Sequence, residues 1–110
     1  MKVPNADKAV VDIRKLTDYC LSYEHPRGKH KARVFLSALG MTSSHAKELR
    51  DTLLQKVSSE DCAIGLADEY GARYIVDFRC VRGDREAMVR STWIIKTGET
   101  TPCLTSCFVL

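Results

Sequence analysis

Apolar residues recur every three or four positions through the first half of the chain and every second position through the last third. The sequence therefore predicts helices first and strands afterwards. Ile13, Leu16, Cys20 and Leu21 make one short helical stripe. A second helix is predicted from about Gly28 to Leu39, with Ala32, Phe35, Leu36 and Leu39 on one face. Gly40 follows it in the position where helices commonly end in a left-handed residue. Between the two, His25 precedes Pro26, which pushes its backbone toward an extended conformation. Thr42, Ser43 and Ser44 offer an N-cap for a third helix that runs to about Val57 along Ala46, Leu49 and Leu53.

After Ser58 the period becomes two. Tyr74, Val76, Phe78 and Cys80 alternate with Arg73, Asp77 and Arg79, and Arg82-Gly83-Asp84-Arg85 reads as a turn. Ala87, Val89, Ser91, Trp93 and Ile95 then alternate with Met88, Arg90, Thr92 and Lys96 to give the hairpin partner. Thr97-Gly98-Glu99 turns the chain again, and Cys103 to Val109 reads as the last strand. Cys62 to Ala67 is a further strand, with Glu69-Tyr70-Gly71 as its turn. The expected fold class is α+β: N-terminal helices packed on one face of a roughly four-stranded antiparallel sheet.

Length and composition narrow the class. The 110 residues suit a single domain with one modest core, and 45% hydrophobic with 28% charged residues excludes a disordered or low-complexity chain. No apolar run approaches a membrane span, and the start has no signal-peptide stretch, so a cytoplasmic protein with no membrane partner is expected. Five cysteines, Cys20, Cys62, Cys80, Cys103 and Cys107, are an odd set and read as reduced, mostly buried thiols. None has C-x-x-C spacing. Cys103 and Cys107 are expected to share a strand face without further ligands, so neither a metal site nor another cofactor is expected.

The net charge of +3 is mild, but its distribution is not even. Residues 1–58 carry eleven basic and six acidic side chains, and the remainder carries six basic and eight acidic. The excess concentrates in His25-Pro26-Arg27-Gly28-Lys29-His30-Lys31-Ala32-Arg33, at the start of the predicted second helix. Free amides and adjacent cations there make a phosphate site; the plainer reading is a solvated basic turn. On the sheet, Arg73, Arg79, Arg90 and Thr92 share the face turned away from the helices, either as a phosphate-binding surface or as a soluble face with Asp77 pairing an arginine. Thr105 and Ser106 fall on opposite faces of the last strand, so one of them can share a groove with Arg90.

Among the histidines, His45 reads as a surface residue at a helix start and His25 as an ambiguous loop residue. His30 stands within the cations, which favour its neutral form, and is the candidate base. There is no Ser-His-Asp order, no telling carboxylate pair, no P-loop and no dinucleotide turn. Cleavage of RNA by its own 2′-hydroxyl needs only a base, cations and an acid, and it matches what is present.

The run His25-Pro26-x-Gly28-Lys29-His30-Lys31-Ala32-x-Val34-Phe35, then Leu39-Gly40, resembles a small bacterial domain family. Lys15-Leu16, Tyr19-x-Leu21, Tyr70-Gly71-x-x-Tyr74-x-Val76, Arg90-Ser91-x-Trp93-x-Ile95 and Pro102-x-Leu104 agree with it in order, over nearly the whole chain. That family is similar to the small RNases that include barnase, the EndoU nucleases, the colicin tRNases and RelE-type toxins. The resemblance implies a toxin-like, metal-independent endoribonuclease, often encoded beside a neutralising partner protein, with RNA, tRNA included, as substrate.

Carried over by residue, it implies His30, Lys31, Arg90 and Ser106 as catalytic, with Arg27, Lys29, Arg79 and Thr92 holding substrate. The threonine such proteins bear on the last strand is replaced by Ser106 in Ser106-Cys107-Phe108. The alternative is a non-catalytic module of a two-gene bacterial system that binds nucleic acid or protein.

Overall fold

The computed structural model describes residues 1–110. A short π-helical segment, Leu16–Cys20, leads through a loop to α1 (Gly28–Leu39), a 3-10 turn Ser43–His45 and α2 (Ala46–Ser59). Four strands follow: β1 (Ala63–Asp68), β2 (Gly71–Arg82), β3 (Arg85–Lys96) and β4 (Cys103–Val109). They form one antiparallel meander in the order β1-β2-β3-β4. The α+β class and the face-on helices agree with the sequence pattern, and so does β1.

The alternation in β2 and β3 has the predicted phase. Val76, Phe78 and Cys80 on β2, Val89, Ser91 and Trp93 on β3, and Leu104 and Cys107 on β4 are buried against the helices. The helices contribute Phe35 and Leu39 from α1, and Leu49, Leu53 and Val57 from α2, with Leu16 and Cys20 from the π-helical segment. At the centre Trp93 donates its indole N–H to Ser91 Oγ (2.9 Å), which donates in turn to the Val76 carbonyl (2.8 Å). The one buried hydroxyl thus satisfies the one buried indole.

α1 is fastened at both ends. Gly40 takes φ 66° and closes its C-terminus, with amides bonded back to Leu36 and Phe35. Arg82 donates to the Leu39 and Gly40 carbonyls (both 3.1 Å) and Arg85 to the Ser37 carbonyl (3.1 Å), so the β2–β3 hairpin holds the helix end. These carbonyls lack partners within the helix, and a guanidinium is suited to them by both hydrogen bonding and dipole.

One strand departs from simple alternation. Trp93 pairs with Leu104 and Thr92 with Ser106, so Thr105 is an extra residue on β4. The bulge changes which residues face inward: Leu104 and Cys107 are buried and Cys103 is only half-buried. The expectation that Cys103 and Cys107 share a face is therefore corrected, because a bulged residue resets the two-residue period. No helix is long and apolar enough to cross a membrane.

Candidate functional site

The start of α1 is not the open anion site the sequence suggested. His25 Nδ1 accepts the N–H of both Arg27 and Gly28 (3.0 Å each), and the His25 carbonyl accepts the N–H of Lys29 (2.9 Å). Hydrogen bonding of the helical kind therefore begins about a turn before the regular helix, with His25 in the capping role and Pro26 next to it, where its missing N–H is harmless. Three amides expected to meet phosphate are already occupied. Lys29, His30 and Lys31 sit farther along the helix than expected, so they act through their side chains and not as partners to free amides.

Lys31 reaches back over the preceding segment. Its Nζ donates to Tyr19 Oη (2.5 Å), lies 4.4 Å from the Tyr19 ring centre and 5.7 Å from that of Phe108. The Tyr19 ring in turn meets His25 edge to face, with centroids 4.7 Å apart. Tyr19 and His25 line an open cleft of about 450 Å³ with Asp12, Arg14, Lys15, Asp18 and Thr105. His30, Lys31, Val34, Phe108 and Val109 line a neighbouring, more apolar depression of about 250 Å³. Lys31 lines the smaller depression and, through its bond to Tyr19, touches the edge of the larger.

The larger cleft is balanced in charge. Asp12 and Arg14 form an ion pair (2.8 Å), which leaves Lys15 and Asp18 as its unpaired charges of opposite sign. Hydrogen bonds from the Arg14 side chain and backbone draw the Asp12 carboxyl down to about 2. Positive charge lies instead at the start of α1 and just before it, where Arg27, Lys29 and Arg33 are exposed or half-buried.

The predicted residues divide. His30 and Lys31 come together, with Arg27 and Lys29 close by in the chain. Arg90 stands on β3 opposite Phe108, on the sheet face away from the helices, and its guanidinium is bound at two points by Asp77 (2.8 Å each). The hydrogen bonds from Arg90, and then its charge, hold the Asp77 carboxyl below the usual carboxylate range. Arg79 pairs with Glu86 toward the hairpin and is not brought to this place. Thr92 donates to or accepts from Thr105 Oγ1 beneath the cleft.

Ser106 turns away from Thr105 and approaches Cys20 Sγ (4.0 Å). It is Thr105, and not Ser106, that lines the cleft. Cys20 and Cys107 are both buried and influence each other's thiols: the pairing lowers Cys20, helped by Ser106, and together with burial raises Cys107.

Sequence reasoning missed Tyr19 as a site residue and left His25 and Thr105 undecided. Tyr19 sits four positions after Lys15 in the same helical segment, a spacing that signalled one shared helix edge. Thr105 could not be assigned because the bulge, which aims it, leaves no periodic trace. No group of three His, Cys, Asp or Glu side chains is gathered as a metal ion would need.

A family model described as "Domain of unknown function (DUF6883)" matches residues 2–110. No curated protein matches the chain in sequence. Among solved structures, the chain is similar to one in a contact-dependent growth inhibition toxin–immunity protein complex from Klebsiella pneumoniae 342. The two share 15% identity and a TM-score of 0.70, covering 93% of this chain and 100% of that one. At that identity the likeness is one of fold.

Proposed function

The chain belongs to the DUF6883 domain family, and from the site it builds we propose that it is a toxin-like component of a bacterial two-protein system, acting as a metal-independent endoribonuclease. The observation that carries this reading is the place of Lys31, which lines the smaller depression and touches the edge of the larger. It is a cation bonded to a phenol on one side, with His30 beside it on the other. A base and fixed positive charge around one open surface are what cleavage by the 2′-hydroxyl requires.

In this reading His30 removes the 2′-hydroxyl proton and Lys31 stabilises charge gathering on the phosphorus oxygens. Arg27 and Lys29 hold neighbouring phosphates along α1. Arg90 takes part by exchanging Asp77 for a phosphate oxygen. Thr92, through Thr105, and Ser106, through Cys20, support the site from below. The fold likeness to a chain from a toxin–immunity complex supports a cognate protein partner.

The charge balance of the larger cleft favours a second reading, a module that binds a partner protein or nucleic acid without cutting it. Incubating the purified protein with total RNA and with tRNA, with and without EDTA, separates them. Cleavage that survives EDTA and disappears in His30→Ala supports the ribonuclease. Intact RNA with a gel shift that fades with salt supports the nucleic-acid-binding module. Intact, unshifted RNA leaves the protein-binding one.

A further inference from the structure

We propose that Tyr19 is the general acid of this cleavage, giving its phenolic proton to the 5′-oxygen as it leaves; the inference rests on the ribonuclease reading and assigns that site a residue outside the basic cluster. Hydrogen-bond direction decides which proton is free to leave. A phenol has one proton and accepts through its lone pairs, whereas an ammonium only donates. Lys31 Nζ therefore donates to Tyr19 Oη, and the phenol keeps its own proton for another acceptor. No protein group takes that proton, and the side chain borders the cleft opposite Thr105.

The phenol is also held in place. The edge of the His25 ring packs on it, and the backbone of residue 19 lies directly against Gly28, where a Cβ would come within 1.9 Å of the Tyr19 carbonyl oxygen. An acid fixed in this way needs little rearrangement at the moment of transfer. His25 is a poor rival, since its Nδ1 accepts two backbone N–H groups and the N–H left at Nε2 of such a ring is a weaker acid than a phenol.

The step balances. His30 takes the 2′-hydroxyl proton, the 2′-oxygen forms its bond to phosphorus, and the bond from phosphorus to the 5′-oxygen breaks. That oxygen takes the Tyr19 proton and departs as a hydroxyl, leaving a 2′,3′-cyclic phosphate. The phenolate that remains faces the Lys31 ammonium, so the charge that develops is met by one already in position. Water then returns a proton to Tyr19 and removes one from His30.

The test compares an RNA oligonucleotide with its analogue carrying sulfur in place of the bridging 5′-oxygen at the scissile bond. A thiolate leaves without an acid, so only the ordinary substrate needs Tyr19. Tyr19→Phe keeps the ring against His25, and its melting temperature and circular dichroism are recorded alongside. The expected result is a loss of about a hundredfold on ordinary RNA with near wild-type cleavage of the sulfur analogue. His30→Ala is expected to be slow on both.

Tyr19→Phe equally slow on both substrates, or unimpaired on ordinary RNA, overturns the acid role while leaving the ribonuclease in place. Wild-type protein that cleaves neither substrate overturns the ribonuclease reading itself and Tyr19 with it. Fluorotyrosine at position 19, a more acidic phenol in an unchanged shape, is expected to move the alkaline limb of the pH–rate profile to lower pH. A limb that stays fixed also overturns the role.

Discussion

Gly28 and Tyr19 are in backbone contact: a Cβ on Gly28 would lie 1.9 Å from the Tyr19 carbonyl oxygen and 2.7 Å from its carbon. The contact is between two segments of main chain, so no side-chain rotation relieves it. Gly28→Ala is expected to force α1 away from the Leu16–Cys20 segment, at a cost of about 2–3 kcal/mol. Urea unfolding would register this as a lower midpoint with an unchanged slope, and an unchanged midpoint would show that the contact is not as tight as described.

His25 closes the front of α1 with its ring nitrogen. Removing the acceptor in His25→Ala is expected to lower stability by about 1 kcal/mol, and His25→Asn, which restores a side-chain acceptor, to recover most of it. Thermal melts of the three proteins decide the matter. Equal losses in the two variants would mean that ring packing on Tyr19, and not capping, is what His25 supplies.

Ser91 stands between the Trp93 indole and the Val76 carbonyl. Ser91→Ala leaves the indole N–H buried without a partner, for an expected loss of about 1–3 kcal/mol. Trp93 is the only tryptophan in the chain, so its fluorescence follows both unfolding and any local change. A variant as stable as the parent would sink the idea that this relay matters.

Four aspartates, Asp12, Asp61, Asp68 and Asp77, have carboxyls below their ordinary value, each chiefly through its pairing with a basic side chain: Arg14, Lys2, Arg73 and Arg90 respectively. A carboxyl depressed in the folded state adds stability at pH values above its unfolded pKa and loses it as pH falls through the folded one. The urea midpoint is therefore expected to be flat from about pH 7 to 5 and to fall below about pH 4. Asp77→Asn should make that fall shallower. The pairs are largely solvent-facing, so each is a modest contribution.

Much of this arrangement was legible in the sequence. The two-residue period from Tyr74 to Ile95 gave the central hairpin and its buried face, because strand geometry converts parity directly into side. Ala32, Phe35 and Leu39, closed by Gly40, gave α1 for an equally local reason, although Leu36, expected on the same face, is exposed. What was hidden depends on contacts between distant positions. His25 looks like a loop histidine until its ring meets the amides of Arg27 and Gly28, and that choice removed the expected phosphate site. Asp77 was expected to pair an arginine of this face, but which one depends on the strand register that sets it opposite Arg90. Tyr19 and Thr105 meet at the cleft across more than eighty residues, and no periodic signal spans that separation.

The arginine clamp on α1 also bears on the order in which the protein can assemble. Helix α1 forms early in the chain, but the groups that hold its last carbonyls, on Arg82 and Arg85, are more than forty residues downstream. Thr105 and Phe108 come later still. Such distant pairings are slow to form and reward the chain only once the intervening segment is in place. The helix can coil on its own, yet its final seat must wait for the hairpin, and the cleft must wait for β4. Pulse-labelled hydrogen exchange is expected to protect the α1 amides no earlier than those of β3. A partly synthesised chain would carry every cation of the basic cluster and still have no working surface, so whatever this site does to RNA or to a partner begins only when the last strand docks.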